Sequence, residues 1–313
     1  GSMVLYYQAF QTSLGSLQAV LRGFASLYED NLFLTYYEEF MTLEPRVLAP
    51  AAPRHMPRPM TEGIRFEGVH FSYPDTERTA LQDISLTIRP GEVTAFVGPN
   101  GSGKTTLVKL LCRLYDPSAG SISIDGTDLR DFDLVDLRRD LSVIFQDFAQ
   151  YQLTARENVR LGNVSLDKDD PLIEGAARDA GAHETISGLR HGYDTMLGKW
   201  FDEGEELSVG EWQKIALARA FVRDAQILVF DEPTSALDPQ AEWDVFQHIK
   251  ELARGRAVVL ISHRFSTVRT ADRIHIFDRG RIIESGAHDE LLALGGRYAE
   301  MYEVQARAYQ PLR

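Results

Sequence analysis

The sequence predicts an α/β fold with a buried sheet, preceded by one long helix. Short apolar runs such as VTAFV, ILVF and AVVLIS have the composition of strands that are covered on both faces. Helical segments separate several of these runs, as they do in α/β domains. A glycine-rich loop, GPNGSGKT at 98–105, lies between a strand and a helix. Together these three observations predict the fold class.

The composition is that of a globular chain of 313 residues, enough for one large domain or two smaller ones. The net charge of -13 argues against binding to nucleic acid, which requires a basic surface. The single cysteine, Cys112, lies in an apolar run, where we expect a core residue, and it fits a reducing compartment. No secretory signal is visible and the leading GSM is typical of a cloning remnant, so we expect part of a longer protein.

Residues 3–43 have the pattern of a long helix. Its stretch Val4–Leu21 contains no charged residue. Apolar side chains recur at steps of three and four residues, at Phe10, Leu14, Leu17, Leu21 and Phe24. The opposite face is rich in glutamine, which suits either a membrane helix beside a wet cavity or a soluble amphipathic helix. The pattern alone leaves both interpretations open.

A proline-rich stretch, residues 45–59, follows the helix and holds five of the 13 prolines. Neither a helix nor a central strand tolerates that density, so we predict a linker and a domain that begins near Gly63.

The predicted strands and helices of that domain are, in chain order, IRFEGVHF, VTAFV, KTTLVKLLCRLY, SISIDG, LSVIF, ILVF, PQAEWDVFQHIK and AVVLIS. A hairpin in RIHIFDRGRIIES and two short helices follow them. Residues 151–222, between LSVIF and ILVF, are expected to be mostly helical.

The loop at 98–105 fits the phosphate-binding pattern G-x-x-x-x-G-K-[ST]. Its glycines allow the backbone to approach closely and aim amides at phosphate oxygens. Lys104 would supply a cation for the outer phosphates, and Thr105 would offer a hydroxyl to Mg²⁺. The candidate nucleotide-binding residues here are Gly98, Pro99, Asn100, Gly101, Ser102, Gly103, Lys104, Thr105 and Thr106.

Polar residues follow several of the predicted strands. Asp231 and Glu232 end the apolar run ILVF, where Asp231 would hold the metal and Glu232 would polarise an attacking water. Gln146 follows LSVIF and His263 follows AVVLIS, and phosphoryl transfer requires such groups to converge on the γ-phosphate. His263 could contact that phosphate and the attacking water. Gln146 could contact either the Mg²⁺ or that water. Tyr73 could stack on adenine, although aromatic residues at strand ends more often serve packing.

A second candidate anion site lies in LSVGEWQK at 207–214. Ser208 and Gly210 begin a helix there, and a helix start with free amides attracts anions.

The chain carries seven motifs in this order: Tyr73, GPNGSGKT, Gln146, LSVGEWQ, ILVFDE, SALD at 235–238 and His263. In that order they resemble the A-loop, Walker A, Q-loop, signature, Walker B, D-loop and H-loop of ABC ATPases.

The resemblance extends from about Ile64 to Tyr302 and implies a P-loop NTPase: a RecA-like core with an antiparallel β subdomain and an α-helical subdomain. The flanking segments ENVRLG, ISHRFSTVRTADRI and GAHDELLALGGRYAEMY are similar to those of ABC exporters. The expected organisation is the end of a transmembrane domain at 1–44, a linker at 45–62, the ATPase at 63–306 and a tail at 307–313.

For function, the resemblance implies ATP hydrolysis coupled to export at the cytoplasmic side of the inner membrane. ATP would lie between the phosphate loop of one protomer and the signature of a second, which is an identical chain or a paralogue. The implied catalytic residues are Glu232, His263, Gln146 and Lys104. The implied Mg²⁺ ligands are Thr105, Gln146 and Asp231. Ser208, Gly210 and Asp238 would contact nucleotide, and the exported substrate is not encoded here.

The signature departs from the usual LSGGQ at Val209 and Glu211. A carboxylate near phosphate is unfavourable, so we expect Glu211 to point away into solvent, leaving a competent but slower site. An alternative is a soluble ABC ATPase of DNA repair or translation. The short spacing from Gln146 to Leu207 and the single cassette argue against it. A non-hydrolysing switch is disfavoured because Glu232 and His263 are present.

Overall fold

The computed structural model describes residues 2–308 except 75, 77 and 202. These residues form two compact units, one ending at Leu48 and the other beginning at Ala49. The first unit is dominated by α1 (Ser2–Met41), a helix of 40 residues in which no described side chain is buried. Among the described residues, none of the helices combines the length and the apolar character of a membrane span.

The second unit contains ten strands and the remaining helices among its described residues. In chain order they are β1 (Ile64–Ser72), β2 (Thr79–Ile88), β3 (Val93–Val97), α2 (Lys104–Leu111), β4 (Ala119–Ile124), β5 (Thr127–Asp128), α3 (Leu134–Arg139), β6 (Leu141–Ile144), α4 (Ala155–Arg160), α5 (Pro171–Asp179), α6 (His183–Gly188), α7 (Val209–Phe221), β7 (Ile227–Asp231), α8 (Pro239–Leu252), β8 (Ala257–Ile261), α9 (Phe265–Val268), β9 (Arg273–Asp278), β10 (Arg281–Gly286), α10 (His288–Leu294) and α11 (Arg297–Ala308). The predicted α/β fold is confirmed.

Two sheets share the second unit. The larger has the strand order β10-β9-β3-β8-β7-β6, in which only the β9–β10 pair is antiparallel. Its inner strands β3, β7 and β8 are buried along their whole length, as their apolar composition predicts. The smaller sheet, β2-β1-β4-β5, is antiparallel throughout. Helices α4 to α7 lie in the chain between β6 and β7, the segment expected to be helical.

The parallel order places four loops together, because the carboxyl ends of adjacent parallel strands meet at one edge of a sheet. The phosphate loop follows β3, Gln146 lies two residues beyond β6, Glu232 directly follows β7, and His263 lies two residues beyond β8. Cys112 is buried as expected, and burial raises the pKa of its thiol to about 12. That thiol is therefore a packing group and not a nucleophile.

The proline-rich stretch differs from the prediction of a linker that ends near Gly63. From Ala49 onwards it belongs to the second compact unit. Met56 and Met60 are buried, and Arg58 forms ion pairs with Asp140 and Asp224. Proline excludes helix and central strand, but it does not prevent an irregular segment from docking through side chains. At the other end, α11 extends to Ala308, and residues 309–313 of the predicted tail lie outside the described residues.

Candidate functional site

The loop between β3 and α2 depends on glycines for its path. Gly98 has a φ of 151°, and a Cβ there would lie 2.2 Å from the carbonyl oxygen of Phe277. Gly103 has a φ of 108°, and its Cβ would lie 2.6 Å from Leu81 Cδ2. Only glycine fits both positions. Residues 100–106 consequently line a cavity of about 870 Å³, large enough for a nucleotide-sized ligand.

Lys104 opens α2 and is 9% exposed. Its ammonium donates to the carbonyl oxygens of Gly98, at 2.8 Å, and Pro99, at 3.0 Å. Burial lowers the pKa of Lys104, while the nearby Asp231 and Glu232 carboxylates oppose that shift. A cation so poorly solvated attracts a phosphate more strongly than one in open water.

Thr105 and Asp231 form a pair of oxygen groups beside this lysine. The Thr105 hydroxyl donates to Asp231 Oδ2 at 2.8 Å. Asp231 is 3% exposed, and burial raises the pKa of its carboxyl. No cluster of three or more His, Cys, Asp or Glu side chains arranged for a metal occurs among the described residues. One carboxylate and one hydroxyl fit Mg²⁺, which commonly keeps water and phosphate oxygens as its other ligands.

Glu232 is held on both sides by predicted site residues. Its Oε2 accepts from Gln146 Nε2 at 3.2 Å, and its Oε1 lies 3.1 Å from His263 Nδ1. Glu232 has a φ of 52°, a conformation that costs about 1–3 kcal/mol in a non-glycine residue and often marks functional sites. Its amide donates to Ile261 O at 2.9 Å, which fixes the loop against β8. The structure therefore brings together the acid, the glutamine and the histidine that the strand ends predicted.

Tyr73 lines the same cavity and also packs against other aromatic rings. Its ring meets those of Phe71 and Tyr115 edge-on, with centroids 5.0 Å and 5.4 Å away. Its hydroxyl lies 3.1 Å from Thr106 Oγ1. Tyr73 is thus both a packing residue and a cavity residue, and its stacking on adenine stays a prediction.

The signature residues lie elsewhere on the same chain. Ser208 caps α7 and is exposed, and a Cβ at Gly210 would lie 3.0 Å from Ala236 O. Asp238 caps α8 by accepting hydrogen bonds from two backbone amides, each at 3.0 Å. Among the described residues that line the phosphate-loop cavity, Ser208, Gly210 and Asp238 do not occur. The two predicted phosphate-binding elements of one chain do not share a cavity.

The expectation that Glu211 points away into solvent is wrong. Its Oε2 accepts from Ser208 N at 2.8 Å and from Ser208 Oγ at 2.7 Å. The Ser208 hydroxyl in turn accepts from Glu211 N at 3.3 Å, which completes a reciprocal capping box. The carboxylate turns back because the helix start offers it two unsatisfied donors. Those donors are the groups to which the resemblance assigns the binding of a phosphate.

Sequence reasoning also missed residues that hold the site from behind. Arg264 donates to Ser235 O at 2.9 Å and pairs with the buried Glu242 at 2.6 Å. Gln305 in α11 donates to His263 O at 3.0 Å. The sequence could have indicated that Arg264 lies near the site, because it directly follows a candidate site histidine. Nothing local marks Gln305, because it lies 42 positions away.

The phosphate loop, the paired oxygens and the held acid at one sheet edge define a P-loop ATPase. Residues 81–235 match the family model described as ABC transporter. The chain therefore contains an ATP-binding domain of the ABC transporter family. A soluble ATPase of repair or translation is not favoured.

Several proteins similar to this chain are named for transport. The chain is 45% identical over 250 residues to an ATP-dependent lipid A-core flippase of Syntrophus aciditrophicus (80% of this chain, 40% of the relative). It is 35% identical over 308 residues to the subtilin transport ATP-binding protein SpaT of Bacillus subtilis (97% and 49%). Its fold resembles a bacterial Atm1-family ABC exporter with ATP bound, with a TM-score of 0.81 and 34% identity (90% and 47%). The chain spans less than half the length of each.

Proposed function

We propose that this chain is the Mg²⁺-dependent ATP-hydrolysing end of a membrane exporter, and that two such protomers enclose ATP between them. One observation carries the proposal: Lys104, Thr105 and Glu232 line one cavity, whereas Ser208 lies outside it. An exposed helix start is suited to bind an anion. Its position outside the cavity of its own chain is explained if it binds the nucleotide of a partner.

Five of the cavity residues would each have a part in hydrolysis. Lys104 would bind the outer phosphates, while Thr105 and Asp231, with Gln146, would hold Mg²⁺. When bound, Mg²⁺ would neutralise charge on the phosphate oxygens. Glu232 would orient and polarise the water whose oxygen forms a bond to the γ-phosphorus as the bond to ADP breaks.

His263 and Gln146 would keep the Glu232 carboxylate in place, since both contact it. The groups act mainly by positioning and electrostatics, which is the usual requirement of phosphoryl transfer. The partner's Ser208 and Gly210 would close the site from the other side, with the partial positive charge of the α7 N-terminus behind them.

Export is proposed from the relatives. The alignment with SpaT covers 97% of this chain and so includes residues of α1. We assign α1 to the end of a transmembrane domain and its cytoplasmic extension, with the ATPase on the cytoplasmic side of the membrane. The names of the relatives refer to different cargo, lipid A-core and subtilin, so we propose export without a particular cargo.

The test of the proposed chemistry is Glu232→Gln. The variant keeps the shape of the side chain and removes the charge that polarises water, so turnover should fall by about a hundredfold or more. Binding of Mg²⁺-ATP, followed with a fluorescent analogue, should persist because the phosphate loop is unchanged. Near-normal turnover in a folded Glu232→Gln protein would contradict the role of this carboxylate.

A further inference from the structure

The side-chain amide of Gln213 joins α7 to the segment that follows β7. Its Nε2 donates to Glu232 O at 3.2 Å and to Ser235 Oγ at 3.3 Å. Its Oε1 accepts from Ala236 N at 3.0 Å. Gln213 is 2% exposed, so these bonds have no water to replace them. All of the hydrogen bonds found for this amide thus go to residues 232–236.

Gly210 makes the same face of α7 fit closely against that segment. It lies three residues before Gln213 and hence on the same side of the helix. A Cβ at Gly210 would lie 3.0 Å from Ala236 O and 3.8 Å from Leu237 Cδ2. The start of the signature helix is consequently in direct contact with residues 236–237, and the two cannot move far independently.

We propose that Gln213 is a positioning residue that couples the two half-sites of one chain. This inference rests on the proposed function, in which Glu232 serves the chain's own ATP and Ser208 serves the partner's. Gln213 binds the carbonyl of Glu232 from within the helix that Ser208 caps. A shift of Ser208 towards a phosphate is therefore transmitted to the backbone of Glu232, and the reverse is also true.

The backbone of Glu232 is sensitive to such a shift. Its φ of 52° is maintained by surrounding contacts, among them the bond from its amide to Ile261 O and the bond from Gln213 to its carbonyl. Removing the amide of Gln213 releases one of these two restraints. The Glu232 carboxylate then loses its fixed position between Gln146 and His263.

The first experiment compares variants of two glutamines. Gln213→Met keeps the length of the side chain and loses the amide. Gln213→Glu can still accept from Ala236 N but cannot donate to Glu232 O. Gln226→Met is the matched control, because the Gln226 amide also joins two backbone groups, at 2.7 Å each, away from the site.

We expect both Gln213 variants to lower kcat by about tenfold, with the ATP affinity of the monomer unchanged, since the phosphate loop is untouched. Gln226→Met should alter thermal stability without lowering kcat. Full activity in Gln213→Met or in Gln213→Glu would overturn the coupling through Glu232. If Gln213→Met folds poorly, Gln213→Glu still tests the bond to Glu232 O, because it keeps the shape of the side chain and the bond from Ala236 N; an unchanged kcat in that variant would overturn the proposal.

The second experiment separates the half-sites. A chain with Lys104→Ala cannot hold ATP, and a chain with Ser208→Arg cannot offer a signature, so a mixed dimer contains one complete site. Gln213→Met is placed in either chain in turn. Coupling predicts a loss of turnover from both placements, because each half-site uses the amide. A loss from one placement only overturns the coupling. A mixture inactive even without Gln213→Met refutes the proposed function itself, and this inference with it.

Discussion

Replacing Glu211 by glutamine should tighten the ATP-dependent dimer and slightly destabilise the free chain. In the structure the carboxylate accepts two hydrogen bonds from Ser208, at 2.8 Å and 2.7 Å, at the end of α7 that would face a partner's γ-phosphate. A partner's phosphate bound there would therefore compete with the carboxylate for the same donors. Glutamine, the residue usual at this position in the signature, competes with one neutral oxygen.

The two effects can be estimated separately. A charge about 8 Å from a phosphate is repelled by about 2 kcal/mol at an effective dielectric constant near 20, and solvent screening of the partly exposed Glu211 reduces this to about 1 kcal/mol. The ATP-bound dimer should thus become about fivefold tighter if one of its two sites contributes and about thirtyfold tighter if both do. Loss of the charged cap costs the free chain about 0.3–1 kcal/mol, which lowers its Tm by about 1–3 °C.

The assay uses Glu232→Gln chains, so that ATP is not consumed, with and without Glu211→Gln. Sedimentation at several protein concentrations gives the dimer affinity with Mg²⁺-ATP, and thermal scans without nucleotide give Tm. Raising the salt concentration should reduce the difference between the two dimers. An ATP-bound dimer that is unchanged or weaker in Glu211→Gln would refute the competition.

Three further predictions follow from individual contacts. Tyr73→Ala should weaken the binding of ATP by about 1–3 kcal/mol, which raises the KM for ATP with little change in kcat. An unchanged KM would mean that Tyr73 is a packing residue. Burial lowers the pKa of His275 from 6.5 to about 4, so its contribution to stability is present above pH 6.5 and falls by about 3 kcal/mol as the pH drops to 4. Denaturant titrations at pH 7 and 4.5 should show a smaller pH effect in His275→Gln. Arg58→Ala leaves the buried Asp140 carboxylate without this ion pair and should cost about 1–3 kcal/mol in the free energy of unfolding; an unchanged denaturation midpoint would mean that the docked segment adds nothing to stability.

The residues of the candidate ATP site were predictable because each is marked locally. An apolar strand that ends in a polar residue fixes where that residue lies, and the parallel order of β3, β8, β7 and β6 then collects Lys104, Glu232, Gln146 and His263 at one edge. To predict that these four residues meet, we needed the fold class but no other long-range information.

Other features depended on contacts that no local pattern specifies. The proline-rich stretch was correctly expected to lack helix, but its docking depends on Arg58 meeting Asp140, 82 positions later. The orientation of Glu211 was predictable in principle, because Ser208-x-x-Glu211 is itself a capping-box pattern. The prediction failed because it weighed phosphate repulsion against solvent and left out the two donors at the helix start.

The central claim is that each ATP site is built from two chains, and mixing two inactive variants tests it most directly. Lys104→Ala should not bind ATP, and Ser208→Arg should bind ATP as a monomer without hydrolysing it. Mixed in equal amounts, they should recover roughly a quarter of wild-type turnover, because about half of the dimers are mixed and each holds one complete site. A mixture that stays at the level of its separate components, with both variants folded and Ser208→Arg still binding ATP, would contradict the shared site.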